Sequence, residues 1–182
     1  MSGEFRIVGT TPLLSSHVFD VERRTVEHDG MKFERDVVTH KGAAAVLVVN
    51  ENNEIGLIRQ YRAAFDLVNW EIPAGTFDVE GEDPLSTAKR ELAEELGVEA
   101  AKWTLLGRFM TSPGWTDQVM TIYEARELTM IPRAPAGPEE VSSSVHWLAP
   151  DELRAVLRRQ PAVDSTMTVA LNRVFGTYFD DR

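Results

Sequence analysis

The sequence predicts an α/β fold, with one main domain at residues 41–182 preceded by a small antiparallel β segment at residues 1–40. Three observations favour this fold class: alternating apolar and polar residues before residue 40, a continuous apolar run near residue 45, and a well-capped amphipathic helix near residue 90. The chain has 182 residues and 43% hydrophobic content, enough to bury one sizeable core but hardly two full domains. One main domain is therefore expected.

The first elements are N-terminal strands. The stretches "HVFDVERRTVEHDG" and "KFERDVVTHKG" alternate apolar and polar residues around the turn-forming pair Asp29-Gly30, which is typical of a hairpin. A meander of this size is not stable alone. We expect it to pack on the main domain or on a second subunit.

The next segment predicts a hairpin with a buried first strand. "GAAAVLVVN" is a continuous apolar strand, "ENNE" is a turn, and "IGLIRQYR" is a second strand. Pro73 and Gly75 then end a strand at Trp70 to Ile72. Further along, strands are expected in "KWTLLGRFM", "VMTIYEARE" and "SVHWL". The Pro-rich stretch "IPRAPAGPEEVSS" is expected to be a loop, and helices are expected from about Pro150 and about Val163.

The element with the clearest start and stop residues is a helix from about Pro84 to Leu96. Asp83 is a suitable N-cap, Pro84 fits the first helical position, and Gly97 fits the left-handed position after the end. An apolar stripe at helical spacing predicts the face that packs on the core, formed by Leu85, Ala88, Leu92 and Leu96.

Three glutamates are crowded onto this helix. Glu91 and Glu95 lie one turn apart on the same side and Glu94 flanks them, so their charges repel unless a cation offsets them. Clustered carboxylates suit a hard divalent cation such as Mg2+ or Mn2+. The alternative is a solvated acidic face with surface ion pairs to Arg90 and Lys89.

The composition argues against several classes of function. A formal charge of −10 and a pI near 4.9 argue against nucleic-acid binding by bulk electrostatics, although a local pocket for a small phosphate ligand remains compatible. The chain contains no cysteine, so a metal would take oxygen or histidine ligands. No stretch predicts a leader or a membrane span, and we expect a cytoplasmic protein without membrane partners.

The string from Glu82 through seven residues to "RELAEELGV" (Arg90 to Val98) resembles the signature of the Nudix hydrolases. The signature glycine stands one position farther from Glu82 here, at Gly75. The resemblance implies an α/β/α sandwich with a mixed sheet that binds Mg2+, with Mn2+ as a substitute. It implies Glu91 and Glu95 as principal metal ligands, Glu94 as a further ligand and catalytic residue, Glu82 as an auxiliary metal group, and Arg90 as a catalytic residue that orients the acids.

Flanking stretches resemble the ADP-ribose pyrophosphatase branch of that family. They are the N-terminal strands, "IRQYRAAF" leading to "WEIPAG", and "SPGWTD" at Ser112 to Asp117. The resemblance implies that the carbonyl of Ala74 ligates metal. Substrate-binding candidates are Arg62, Arg59, Glu71, Trp70, Gly114 and Trp115, with Tyr61 as a further aromatic. For each charged candidate the alternative is an ordinary surface or strand residue, and for each aromatic it is a core residue.

Glu139 and Glu140 lie in the Pro-rich loop. In the branch that this chain resembles, a glutamate on the corresponding mobile loop acts as general base or fixes the attacking water. Either residue is a candidate, with Glu140 fitting somewhat better. The alternative is a solvated acidic loop. His146, inside an apolar strand, is interpreted as structural.

The resemblance implies Mg2+-dependent hydrolysis of the diphosphate of ADP-ribose or a related nucleoside diphosphate sugar, giving AMP and ribose 5-phosphate from ADP-ribose. The alternatives are another nucleoside diphosphate derivative, such as GDP-mannose, NADH or a dinucleotide, and a non-catalytic module that senses nucleotides. The resemblance also places residues 1–40 across a two-fold axis, which predicts a homodimer.

Overall fold

The computed structural model describes residues 4–79 and 81–176. Its contacts group into two units: one of residues 1–42 and 110–119, and a second that contains 43–109 and the chain from Met120 onward. The first unit thus includes a loop segment beyond the predicted boundary at residue 40. No helix among the described residues is long and apolar enough to cross a membrane.

The first unit is built on an antiparallel sheet in the order β1-β2-β3. Its strands are β1 (Arg6–Ser15), β2 (Phe19–His28) and β3 (Met31–His40). The predicted hairpin at Asp29-Gly30 is confirmed, with φ of 48° and 77° as a tight β2–β3 turn requires. Strand β1 was not predicted individually, because nearly all its side chains are exposed and its register to β2 shifts twice.

The second unit contains a mixed sheet whose described strands run in the order β10-β5-β4-β9-β8, with β6 paired to β5 and β7 paired to β4. The strands are β4 (Ala43–Val49), β5 (Ile55–Arg62), β6 (Leu67–Glu71), β7 (Ala74–Thr76), β8 (Val98–Met110), β9 (Val119–Met130) and β10 (Ser144–Leu148). Strand β4 is parallel to β9 and antiparallel to β5 and β7. The β4–β5 hairpin pairs only beside its turn, at Val48–Gly56 and Val49–Ile55.

Helices cover both faces of β4, which explains why the whole strand is buried. The face of Ala43, Ala45 and Leu47 packs into a cluster with residues of the two C-terminal helices, Leu153, Leu157, Met167, Ala170 and Leu171. The face of Ala44, Val46 and Val48 packs against Ala88, Leu92 and Leu96. This arrangement is an α/β/α sandwich around a mixed sheet, as predicted.

The helices are α1 (Pro84–Glu91), α2 (Gly137–Val141), α3 (Pro150–Leu157) and α4 (Ser165–Phe175). The predicted helix to Leu96 is present, but its last turn, Leu92–Leu96, is π-helical. The Pro-rich loop contains α2, which was not predicted; Pro138 lies in its first turn, where a missing N–H costs nothing. Helix α4 begins at Ser165 because the Asp164 side chain accepts the N–H of Met167.

Candidate active site

The helix that carries the three glutamates (residues 84–96, called the carboxylate helix below) is capped at both ends as its sequence predicts. The Asp83 carboxylate accepts the N–H groups of Leu85 at 2.9 Å and Ser86 at 3.2 Å. Gly97 closes the π-helical turn with φ of 69°, a conformation that costs glycine little. The helix therefore presents its glutamates from a rigid support that packs on β4.

Glu91 and Glu95 are buried against the start of β7. Their exposed fractions are 6% and 2%. A carboxylate oxygen of Glu95 accepts the backbone N–H of Ala74 at 2.9 Å. A Cβ on Gly75 would lie 1.8 Å from Oε1 of Glu91, so the close approach requires glycine at that position. The "PAG" segment and the carboxylate helix thus form one site.

Arg90 lies among the acids, as expected for a residue that orients them. Its Nη1 donates to Glu91 at 2.6 Å and to Glu94 at 3.1 Å, and its Nη2 donates to Asp78 at 3.1 Å and to Glu82 at 3.3 Å. Glu82 also accepts the hydroxyl of Thr87 at 2.9 Å. A single guanidinium therefore contacts more negative charge than it can neutralise.

Burial and neighbouring charges both act on the pKa values of the buried acids. Burial raises the pKa of Glu91 to about 7, although Arg90 acts in the opposite direction. Burial also raises the pKa of Glu95 to about 8; the Ala74 N–H lowers it, whereas the charges of Glu91 and Glu140 raise it further. Burial is the largest cause in both cases, so the surroundings of Glu91 and Glu95 disfavour their charged forms.

The donor set fits a hard divalent cation in its chemistry: carboxylates of Glu91, Glu94 and Glu95, and a backbone carbonyl at Ala74. As the side chains stand, no three Asp, Glu or His residues in the described part of the chain are grouped closely enough to hold a metal ion. Instead, Glu91 is turned toward Arg90 and Glu95 toward the Ala74 N–H.

Helix α2 brings the predicted loop glutamates to this site. A cavity of about 210 Å³ is lined by Gln60, Tyr61, Arg62, Ala63, Ala74, Glu95, Ala136, Glu139 and Glu140. Glu140 accepts the N–H of Ala136 at 2.6 Å, and its charge acts on both Glu91 and Glu95. Glu140 is half-buried and Glu139 is exposed.

Arg62 lies between this cavity and a second one. Glu71 is buried and accepts from Arg62 through Nε at 2.9 Å and Nη2 at 2.6 Å, from Gln60 at 3.2 Å and from Asn69 at 3.3 Å. With its oxygens engaged in this way, Glu71 anchors the arginine. The second cavity, about 380 Å³, is lined by Arg62, Ala64, Phe65, Leu67, Asn69, Glu71, Ala162, Val163, Asp164 and Ser165.

The remaining substrate-binding candidates differ in their surroundings. Trp70 is 9% exposed within the core cluster and meets the His146 ring edge-on at 4.8 Å, with Arg59 over its ring at 5.5 Å. Tyr61 is exposed, and its hydroxyl donates to Asp66 at 2.8 Å. Gly114 and Trp115 belong to the first unit, where Trp115 is 57% exposed.

The loop with Gly114 and Trp115 is fixed onto β3. The Val38 N–H donates to the Trp115 carbonyl at 2.8 Å, and Asp117 accepts the N–H of His40 at 2.9 Å and Arg24 at 3.1 Å. A cavity of about 480 Å³ within that unit is lined by side chains of β1, β2 and β3 and by this loop.

Sequence reasoning missed Gln60, Asp78, Arg133 and Asp164 near the site. Asp164 carried a usable signal, since an aspartate followed by Ser165 and Thr166 is a helix-start pattern. Burial raises the pKa of Asp164. Arg133 carried no local signal, because it donates to the backbone carbonyls of Glu95, 38 positions away, and Glu140, 7 positions away.

Comparison with known proteins finds a matching domain family and similar proteins. Residues 39–168 match the NUDIX domain. The chain is 36% identical over 157 residues to an ADP-ribose pyrophosphatase of Mycobacterium tuberculosis (strain ATCC 25618 / H37Rv), which covers 85% of this chain and 76% of that protein. It is 32% identical over 169 residues to a methanol dehydrogenase activator of Bacillus methanolicus, which covers 92% and 91% respectively.

A crystal structure of an ADP compounds hydrolase superposes with a TM-score of 0.76 and 21% identity, and the match covers 97% of each chain. This likeness concerns the fold. It confirms the predicted fold class, a mixed-sheet α/β domain with a small antiparallel sheet of three described strands.

Proposed function

This chain belongs to the NUDIX domain family, and from that premise we propose that it hydrolyses the diphosphate of a nucleoside diphosphate joined to a sugar, with ADP-ribose as the foremost substrate. The chain is a Nudix hydrolase, and enzymes of this family generally use divalent metal ions and act on small nucleotides. The observation that carries the proposal is the packing of Ala74 and Gly75 against the buried carboxylates of Glu95 and Glu91.

We propose that Glu91, Glu94, Glu95 and the carbonyl of Ala74 hold Mg2+, with Mn2+ as a substitute and Glu82 as an auxiliary group. When bound, the cation neutralises diphosphate charge and lowers the pKa of water. Arg90 holds Glu91 and Glu94 in place through its hydrogen bonds. Raised carboxylate pKa values are consistent with this role, because a cation would supply the charge that the protein lacks.

Arg62 is our candidate for a phosphate contact. It lines both cavities and is held by the carboxylate of Glu71, so its guanidinium is pre-oriented. The cavity of about 380 Å³ beside it combines apolar walls with the polar groups of Asn69, Asp164 and Ser165. Such a lining suits a hydroxyl-bearing sugar better than a further phosphate, since Asp164 adds negative charge.

Glu140 is the proposed general base. Water attacks one phosphorus while the bridging P–O bond breaks, and Glu140 accepts a proton from the attacking water and returns it to solvent. With ADP-ribose the products are AMP and ribose 5-phosphate. Glu139 is the alternative base, because it lines the same cavity.

We also propose a cytoplasmic homodimer. The first unit exposes large apolar side chains, including Phe5 (64%), Ile7 (57%), Leu14 (53%) and Met31 (66%), and such a surface favours a partner. The intact protein should elute at about twice its 20.4 kDa mass in gel filtration with light scattering. A monomer at micromolar concentration would refute the dimer.

The decisive test of function incubates the protein and Mg2+ with ADP-ribose, GDP-mannose, NADH and diadenosine polyphosphates, and identifies products by chromatography. Glu95→Gln is the matched control for contaminating activity. AMP and ribose 5-phosphate formed by the parent alone would support the proposal. Preferential cleavage of another compound would move the assignment to that substrate, and binding of ADP-ribose without cleavage would favour a sensing module.

A further inference from the structure

Arg133 links the end of the carboxylate helix to the segment that carries the loop glutamates. Its Nε donates to the backbone carbonyl of Glu95 at 2.5 Å. Its Nη2 donates to the carbonyl of Glu140 at 3.0 Å and to the hydroxyl of Ser143, and its Nη1 donates to the carbonyl of Ser143 at 3.3 Å. One planar guanidinium thus forms hydrogen bonds with both segments.

The acceptors are neutral oxygens, and their positions favour an arginine over a lysine. The Glu95 carbonyl lies in the last turn of the helix, where backbone carbonyls lack helical partners and the helix dipole favours a cation. A guanidinium presents several N–H groups in fixed directions, whereas a lysine ammonium is a compact point charge. The geometry therefore uses the fork as well as the charge.

The chain around Arg133 is also fitted closely to the helix end. The Ile131 N–H donates to the Gly97 carbonyl at 2.9 Å. A Cβ on Gly97 would lie 2.8 Å from the Ile131 carbonyl oxygen and 3.1 Å from the Arg133 nitrogen. The glycine that ends the carboxylate helix thus also makes room for the backbone that carries Arg133.

Helix α2, by contrast, has little packing of its own. It is a single short helix with no buried side chain, and its N-cap residue, Ala136, makes no side-chain capping bond. The Glu140 carboxylate instead accepts the Ala136 N–H at 2.6 Å within the same segment. Few apolar contacts hold such a segment against local opening, so its polar attachments decide its position.

We propose that Arg133 is a positioning residue that holds the Glu140 backbone at the end of the carboxylate helix, so that the Glu140 side chain reaches the reacting water. This role deepens the proposed hydrolysis and rests on it. Arg133 itself does not touch the substrate. Its effect on turnover passes through Glu140.

The test compares Arg133→Met and Arg133→Lys in the full-length protein, with Arg126→Met as the matched control. Arg126 pairs with Glu124 on β9 through a 2.6 Å bond and lies outside the machinery described above. For each variant, hydrogen exchange of residues 136–143 is followed by mass spectrometry, and kcat and KM are measured on the substrate that the parent cleaves. Thermal melting and circular dichroism monitor folding.

We expect Arg133→Met to raise exchange in residues 136–143 about tenfold and to lower kcat by about thirtyfold, with KM within about threefold. Arg133→Lys should recover part of kcat, and Arg126→Met should match the parent. In a Glu140→Gln background, Arg133→Met should lower kcat by less than about twofold, because both changes remove the same step.

If the losses of kcat in Arg133→Met and Glu140→Gln are additive in the double variant, the positioning role is overturned. It is also overturned if Arg133→Met keeps the parental exchange and kcat. If Arg133→Met fails to fold, the Arg133→Lys cycle and Ser143→Ala, which removes the hydroxyl acceptor, decide the same question. A parent that cleaves no compound would refute the proposed function, while the exchange measurement would still show whether Arg133 holds the segment.

Discussion

Two pairs of glutamates in this protein differ in what supports them. Glu91 and Glu95 are buried on a helix that packs against β4 through Ala88, Leu92 and Leu96. Glu139 and Glu140 lie on α2, which buries no side chain. Rigid support suits groups that must hold a cation at fixed distances, whereas a proton acceptor needs to approach only during the reaction.

The buried pair also carries an energetic cost. Burial of Glu91 and Glu95 near each other disfavours their charged forms. A chain selected for stability alone would place apolar residues or a compensating base there. The cost is consistent with a functional requirement for carboxylates at these positions.

The largest effect is expected from Glu95→Gln, which preserves side-chain volume but removes a charged ligand. Turnover should fall by about a thousandfold or more, because the transition state loses electrostatic stabilisation. Steady-state kinetics with Mg2+ checks this, with circular dichroism to confirm folding. Turnover within about tenfold of the parent, or about 1.4 kcal/mol in the barrier, would contradict the role of Glu95 as a principal ligand.

A smaller loss is expected from Glu140→Gln. Turnover should fall by about a hundredfold while KM changes little, as for the loss of general-base assistance. Glu139→Gln is the matched control on the same helix and should be nearly silent. The reverse pattern would transfer the role to Glu139, and two silent variants would leave the loop glutamates without a catalytic role.

Gly75→Ala tests whether exact placement of the buried pair matters. The added methyl group would overlap Glu91 and force its carboxylate to move, since the Cβ position is 1.8 Å from Oε1. We expect turnover to fall by about ten- to a hundredfold, because small displacements in a catalytic site cost that much. Gly9→Ala, whose Cβ would meet only ordinary contacts at 3.5 Å, is the control. Unchanged turnover in Gly75→Ala would show that Glu91 tolerates displacement.

The smallest effect concerns stability and pH. Because the folded-state pKa values of Glu91 and Glu95 are raised to about 7 and about 8, the metal-free protein should be most stable when both are protonated. Its melting temperature in EDTA should therefore fall as pH rises from about 5, just above the ordinary glutamate pKa of 4.5, to about 8, and should then level off. Glu95→Gln should reduce this slope. A parent that gains stability over the same range would contradict the raised values.

The local structure of this protein follows from its amino-acid sequence. The helix limits, the spacing of its glutamates and the buried strand β4 follow from capping residues, periodicity and apolar runs, which act between near neighbours. Helix α2 was missed because a Pro-rich stretch of five helical residues carries no periodicity.

Tertiary structure alone decided how distant segments complete the site. The Ala74 N–H meets Glu95 across 21 positions, and Arg133 meets the Glu95 carbonyl across 38 positions. Trp70 joined the core, and Glu71 became the anchor of Arg62. A backbone N–H or carbonyl has the same chemistry at every residue, so no sequence pattern marks the two backbone contacts. The side-chain contacts of Trp70 and Glu71 depend on which strands the folded sheet brings together.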